Sequence, residues 1–255
     1  NKDILFLSIL TISISYLFDL FTKHNNKNLL LFCFFAALAS SSRIMGIYLP
    51  VILFILYFLE LLIGKFSLKE FISRSLKLFI FFILFLYLHY PYMWQLNIFD
   101  IFGWFKSFFY WMDVEILFSG KYYSIKYLPR SYLPIWILIS TPFFIIIFFI
   151  LGTCISGKTI LKRLLNIKED KINKKGELWI NLNEKKDFFI FVSFFSFISY
   201  AVLLNVAMLS GWRHFYFLHI FIIYLSTVGI SWLYEYSKKF INEFVVVSVF
   251  IFLII

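Results

Sequence analysis

The sequence predicts an all-α fold, a polytopic transmembrane bundle of about eight helical spans. Hydrophobic residues occupy 62% of the 255 positions, and the mean hydropathy is +0.88. A water-soluble domain of this length does not need so much apolar surface. Apolar runs of roughly 20 residues, the length that crosses the hydrocarbon core of a bilayer, alternate with short connectors that carry most of the lysines.

Four apolar runs fill the first part of the chain, namely 4–21, 29–42, 44–63 and 78–90. Only Arg43 separates the second run from the third, and Gly46 and Pro50 follow closely. We expect two helices joined by a polar corner, because a single helix through Arg43 would leave its charge deep in lipid. The basic segment 65–77 precedes the fourth run, and Pro91 ends that run.

The second part of the chain has the same organisation, with apolar runs at 133–155, 188–209, 215–234 and 244–255. A long segment, 92–132, precedes the first of these runs, and the connector 156–187 follows it. We expect one membrane domain over residues 1–255. We also expect it to be truncated at both ends, because the chain begins with Asn1 rather than Met and stops inside an apolar run.

Segment 92–132 is too long for a simple connector. Its first half has apolar residues at steps of three and four, which predicts a helix over 98–112. Trp104 and Trp111 suit a helix lying in the membrane interface, although packing against the bundle explains the pattern equally well. Gly120 and the nearby prolines predict turns in the second half.

Lysine and arginine positions predict the orientation of the spans. The connector 156–187 is the richest in lysine, so the positive-inside rule assigns it to the cytoplasm. Counting spans outward assigns the basic connectors at 23–27, 65–77 and 238–239 to the same side. The Arg43 corner, segment 92–132 and Trp212–His214 then fall on the non-cytoplasmic side, where clustered polar features predict a site.

Charge and cysteine content exclude several classes of function. The net charge of +10 does not indicate nucleic-acid binding, because the basic residues lie in connectors rather than on one soluble face. Cys33 and Cys154 both lie inside apolar runs. Two such cysteines form neither a disulfide framework nor a metal site. We expect no organic cofactor, and the use of a divalent metal is left open.

Three stretches carry a resemblance to a known family: 36–50, containing Ala-Leu-Ala-Ser-Ser-Ser-Arg; 118–142, containing Leu-Pro-Arg-Ser-Tyr-Leu-Pro; and 211–217, Gly-Trp-Arg-His-Phe-Tyr-Phe. In this order they resemble the membrane core of GT-C-type glycosyltransferases, nearest to the protein O-mannosyltransferase and aminoarabinose transferase families. The resemblance covers most of the chain. It implies transfer of a sugar from a polyprenyl-phosphate carrier to a lipid, glycan or protein, on the outer face of a bacterial inner membrane.

The resemblance also implies cations at the outer membrane edge. Negative charge grows on the lipid phosphate as the glycosidic bond breaks, and a fixed arginine stabilises that charge most in the transition state. The predicted phosphate-binding residues are Arg43, Lys121, Arg130, Arg213 and His214. Trp212 and Tyr132 are predicted substrate contacts. Anchoring of the same side chains to lipid headgroups is the simpler alternative.

The catalytic base is the part of the family pattern that is missing. In these families it is an acidic residue in the first outer loop, which would lie before Asn1. Asp113 and Glu115 are carboxylates predicted to face outward, where they could assist an acceptor or a metal. Their spacing does not itself indicate catalysis.

Two other classes of function remain alternatives. A transporter or flippase of lipid-linked saccharides would require ionisable residues near the midplane and internal repeats, and no clear repeat is present. A saccharide polymerase or ligase also uses outer arginines, but the order of motifs fits it less well. The expected partners are a polyprenyl-phosphate-linked sugar and membrane lipids, without nucleic acid. The sequence does not identify the sugar, the acceptor or the oligomeric state.

Overall fold

A computed structural model describes residues 2–95, 103, 114–165, 179, 181–204, 206, 208 and 211–239. The fold is all-α apart from one short hairpin. The helices are α1 (Lys2–Thr22), α2 (Asn26–Ser42), α3 (Tyr48–Leu62), α4 (Leu68–His89), α5 (Tyr132–Ser140), α6 (Phe143–Leu165), α7 (Leu182–Leu203) and α8 (Leu218–Ser237). Strands β1 (Glu115–Phe118) and β2 (Lys121–Ser124) form the hairpin.

Six helices among the described residues are long and apolar enough to cross a membrane: 2–22, 44–62, 68–89, 143–165, 182–203 and 218–237. They fit an integral membrane protein, as predicted. The count of about eight is not confirmed. Helix α2 has 17 residues and is too short for this group, and the run 244–255 lies outside the described residues. The predicted interfacial helix at 98–112 also lies outside them, except for Gly103.

The chain divides into two compact units. The first comprises residues 1–114 and 166–185, and the second comprises 115–165 and 186–255. In the first unit, α2 packs against both α1 and α4, and α3 packs against α4. Fully buried side chains on α1, α2 and α3, such as Leu17, Phe32 and Leu53, form its core.

The corner at Arg43 breaks the helix as expected. Helix α2 ends at Ser42, Arg43 is extended with φ −149°, and a 3₁₀ turn over Ile44–Ile47 leads into α3. Gly46 lies directly against the backbone of Ala39 and Ser40, where a Cβ atom would have no room. The small residues of this corner therefore allow the chain to double back on itself.

The second unit is built on the packing of α6 against α8. Gly152 and Gly229 bring the two backbones together, and the hydroxyl of Ser226 donates to the carbonyl of Ile145 at 3.0 Å. The predicted run 133–155 is divided into α5 and α6 before Pro142, which has no N–H to donate and disfavours helix in the residue before it. Helix α6 continues to Leu165, so residues 156–165 of the predicted connector are helical.

Candidate functional site

The hairpin displays two of the predicted site residues. Its strands pair Glu115 with Ser124 and Phe118 with Lys121. Ser119 and Gly120 have φ values of 51° and 77°, as a two-residue hairpin turn requires, so the predicted turn at Gly120 is confirmed. Phe118 is buried, while Glu115 and Lys121 are exposed. Asp113 lies outside the described residues.

Tyr132 connects two stretches of the second unit, 118–142 and 211–217. Its side chain is only 2% exposed, and its ring packs 4.8 Å from that of Phe118. Burial raises the pKa of the Tyr132 hydroxyl, and interactions with the Trp136 side chain and the Gly211 backbone oppose this rise. Tyr132 therefore ties the start of α5 to the corner before α8. Its ring is packed inside the unit.

Gly211 is the first residue of the corner before α8. Its backbone conformation and the space around it both favour glycine. Its φ is +69°, and a Cβ atom would lie 3.4 Å from the indole of Trp136. The next residue, Trp212, is 5% exposed and its ring packs 4.6 Å from that of His219. Like Tyr132, Trp212 is packed inside the second unit.

The 3₁₀ turn over Arg213–Phe215 contains both buried and exposed side chains. Phe215 is fully buried, His214 is half-buried and Arg213 is exposed. The buried aromatic residues on either side of Arg213 hold the turn against the unit. The exposed Arg213 side chain therefore extends from a backbone segment that packed aromatic rings hold in place.

A small cleft of about 10 Å³ lies in the second unit, lined by residues 128–130, 133, 201, 202, 206 and 208. Its lining is apolar apart from Arg130. It has room for about one water molecule, and the Arg130 guanidinium beside it can bind an anion. Arg130 is the predicted phosphate-binding residue that borders this cleft.

Arg43 belongs to the first unit, where it forms an ion pair with Asp3. The Asp3 side chain is 5% exposed and that of Arg43 is 22% exposed. The pair links the first turn of α1 to the end of α2. Asp3 was not among the predicted site residues, because one acid at the start of an apolar run belongs to no motif. Its position opposite the only charge of the Arg43 corner was the available signal.

Two further side chains were missed because they lie within apolar runs. His219 Nδ1 is buried and lacks a hydrogen-bond partner among the described residues, whereas the buried Trp136 Nε1 lies beside the Tyr132 hydroxyl. Both residues flank the Gly211–Trp212 segment, Trp136 through Gly211 and His219 through Trp212. They add polar atoms to a corner that otherwise consists of packed aromatic rings.

No metal centre is assigned to the part of the chain that the structure describes. It contains no group of three or more His, Cys, Asp or Glu residues that could hold an ion. Glu115 is therefore not part of a described metal site, and the use of a divalent metal stays an untested possibility.

Comparisons with known protein-family models, with curated proteins and with solved structures each gave no match. The functional interpretation therefore depends on the residues and their geometry.

Proposed function

We propose that this protein is a GT-C-type glycosyltransferase that moves a sugar from a polyprenyl-phosphate carrier to a lipid, glycan or protein acceptor at the non-cytoplasmic membrane face. One observation carries the proposal: the Trp136 indole packs against Gly211, and the Tyr132 ring lies beside it, so that the backbones of Arg130 and Arg213 approach one corner. Arg130 lies two residues from Tyr132, and Arg213 lies two residues from Gly211, in each case at most about 7.6 Å along the backbone.

The chemistry of the leaving group supports this assignment. As an acceptor oxygen attacks the anomeric carbon, the bond from that carbon to the phosphate oxygen breaks and charge collects on the phosphate. Arginine binds two phosphate oxygens at once, and a donor fixed before the reaction stabilises the transition state without reorganising.

The reaction also requires a group that accepts the proton of the acceptor. Glu115, exposed on strand β1 of the same unit as Arg130 and Arg213, is the described carboxylate that we propose to assist the acceptor.

Transfer of labelled sugar from a polyprenyl-phosphate donor by the reconstituted protein tests the proposal. Arg213→Ala should lower turnover by about 10²-fold, the usual cost of losing one transition-state donor. Arg213→Lys should keep part of the activity, because it retains charge but not the fork. Lys162→Ala, at the far end of α6, is the matched control and should leave turnover unchanged.

Two outcomes would contradict the proposal. Undiminished turnover in a folded Arg213→Ala protein would remove this residue from the site. Movement of the lipid-linked sugar across vesicles without any transfer would favour the flippase alternative.

A further inference from the structure

In the first unit, near the connection between α3 and α4, several cations surround one buried acid. Glu60 is 4% exposed, and its Oε1 lies 2.6 Å from Lys185 Nζ and 3.5 Å from Lys65 Nζ. Lys185 also lies over the ring of Phe21, at 4.4 Å. Lys185 is therefore the close partner of Glu60. Lys65, with 37% of its side chain exposed, keeps an ammonium that can reach another anion.

Arg74 completes this group, one turn into α4. Its guanidinium carbon lies 4.0 Å from the centroid of the Phe66 ring, and its charge also acts on Glu70, four residues earlier, and on Lys185. Stacking holds the guanidinium flat and leaves its N–H edge available. The nearest acid on the helix, Glu70, accepts from the amide and hydroxyl of Ser67 at 2.9 and 3.0 Å, and so caps α4.

The remaining polar neighbours do not offset this positive charge. His24 Nε2 and Tyr57 Oη lie 2.8 Å apart, within hydrogen-bond distance. Desolvation of the His24 ring lowers its pKa to about 4, and the charge of Arg74 contributes to the shift. His24 is therefore neutral at pH 7. The lowered pKa also indicates that the field of Arg74 reaches its neighbours.

We propose that Arg74 and Lys65 bind the phosphate of an anionic lipid headgroup. The arginine fork fits two phosphate oxygens and the lysine adds a point charge. A lipid is favoured over a soluble anion because the surrounding apolar side chains are exposed. Leu62, Leu68 and Ile72 are 65%, 62% and 54% exposed, which suits contact with acyl chains. This proposal does not depend on the glycosyltransferase proposal.

Native mass spectrometry of the purified full chain, titrated with phosphatidylglycerol or with phosphatidylcholine, tests the site. The wild-type protein should retain phosphatidylglycerol preferentially. Arg74→Gln should weaken that binding about fivefold, the weight of one basic residue at an anionic membrane surface, and Lys65→Gln should weaken it similarly. Phosphatidylcholine binding should not change in either variant.

Lys69→Gln is the matched control, because it removes the same charge from an exposed position in the first turn of α4. Its lipid binding should stay close to wild type. Arg74→Lys should bind with intermediate strength, and it keeps the test decisive if Arg74→Gln does not fold.

Three results would overturn the proposal. The first is no preference of the wild-type protein for phosphatidylglycerol. The second is an equal loss in Lys69→Gln and Arg74→Gln, which would show that only overall charge matters. The third is complete displacement of the lipid by inorganic phosphate, which would identify a site for a soluble anion.

Discussion

At the residue scale, burial of a charge determines which side chains must meet. Asp3 and Glu60 are the buried acids of the described residues, and each faces a cation, Arg43 or Lys185. Each lies near the end of an apolar helix, where a lone carboxylate would lose much of its hydration. The ion pairs offset the free-energy cost of burying these carboxylates. One pair connects α1 with α2, and the other connects α3 with the start of α7.

The Asp3–Arg43 pair leads to a stability prediction. Asp3→Asn should destabilise the protein by about 3 kcal/mol, the lower end of the cost of breaking a buried pair, because Arg43 is left without its partner but remains 22% exposed. Unfolding in detergent, followed by circular dichroism, measures the loss. Asp19→Asn, which changes an exposed acid on the same helix, should stay within about 0.5 kcal/mol of wild type.

The double variant Asp3→Asn with Arg43→Gln identifies the cause. It should recover part of the stability, because no uncompensated charge remains. A double variant less stable than the sum of the two single losses would contradict the electrostatic explanation.

At the element scale, small residues and one proline determine how the helices end and pack. Gly46 permits the reversal after α2, and Pro142 divides α5 from α6. In the second unit the backbones of α6 and α8 meet at Gly152 and Gly229. Such close approach is a common way for helices to associate in a membrane, where van der Waals packing replaces the hydrophobic effect.

This packing predicts opposite effects of the same substitution on one helix. Gly152→Ala places a methyl group against the carbonyl of Leu225, and the overpacking cost of about 1–3 kcal/mol should exceed the gain of about 1 kcal/mol in helix propensity. Gly157→Ala meets only the Phe191 ring, at 3.3 Å, which can rotate away. The thermal midpoint in detergent should fall for Gly152→Ala and hold or rise for Gly157→Ala.

Gly229→Ala should behave like Gly152→Ala, since its methyl group would meet the carbonyl of Phe148. Equal midpoints for all three variants would show that the close approach of α6 and α8 does not limit stability.

At the scale of the whole molecule, the lysine distribution predicts an orientation in the membrane. The basic connectors are assigned to the cytoplasm, and the hairpin and the Trp212–His214 corner to the opposite side. The proposed transfer reaction requires this arrangement, since it takes place where carrier phosphate and acceptor meet at the outer membrane edge.

Cysteine labelling in intact cells tests the orientation. The native cysteines, Cys33 and Cys154, are free and would first be replaced by serine. A membrane-impermeant maleimide should label Lys121→Cys, on the exposed strand β2, without permeabilisation. It should label Lys162→Cys only after the membrane is opened. Labelling of both positions from outside would refute the orientation and the proposed site together.

Local features of the chain were predictable because they depend on neighbouring residues. The helix break at Arg43, the turn at Gly120 and the apolar spans all follow from residues a few positions apart. The division of α5 from α6 within one apolar run was not predicted, although Pro142 provided a signal. The hairpin strands were expected only as turns, because their alternation of apolar and polar residues is short.

Sequence spacing does not reveal the long-range contacts within each unit. In the first unit Asp3 and Arg43 are 40 residues apart, and Lys185 and Glu60 are 125 residues apart. In the second unit the approach of Trp136 to Gly211, which brings the Arg130 and Arg213 backbones toward one corner, is of the same kind. Each contact joins residues whose neighbours in the sequence give no indication of the partner.

Hydropathy along the chain was enough to predict a helical membrane fold, since a chain in lipid must satisfy its backbone hydrogen bonds within each span. The folded structure was needed to show which acid faces which base, which glycines touch, and which arginine borders a cleft. Those pairings depend on how the helices pack, and a buried charge or a missing Cβ becomes informative only when its neighbour in space is known.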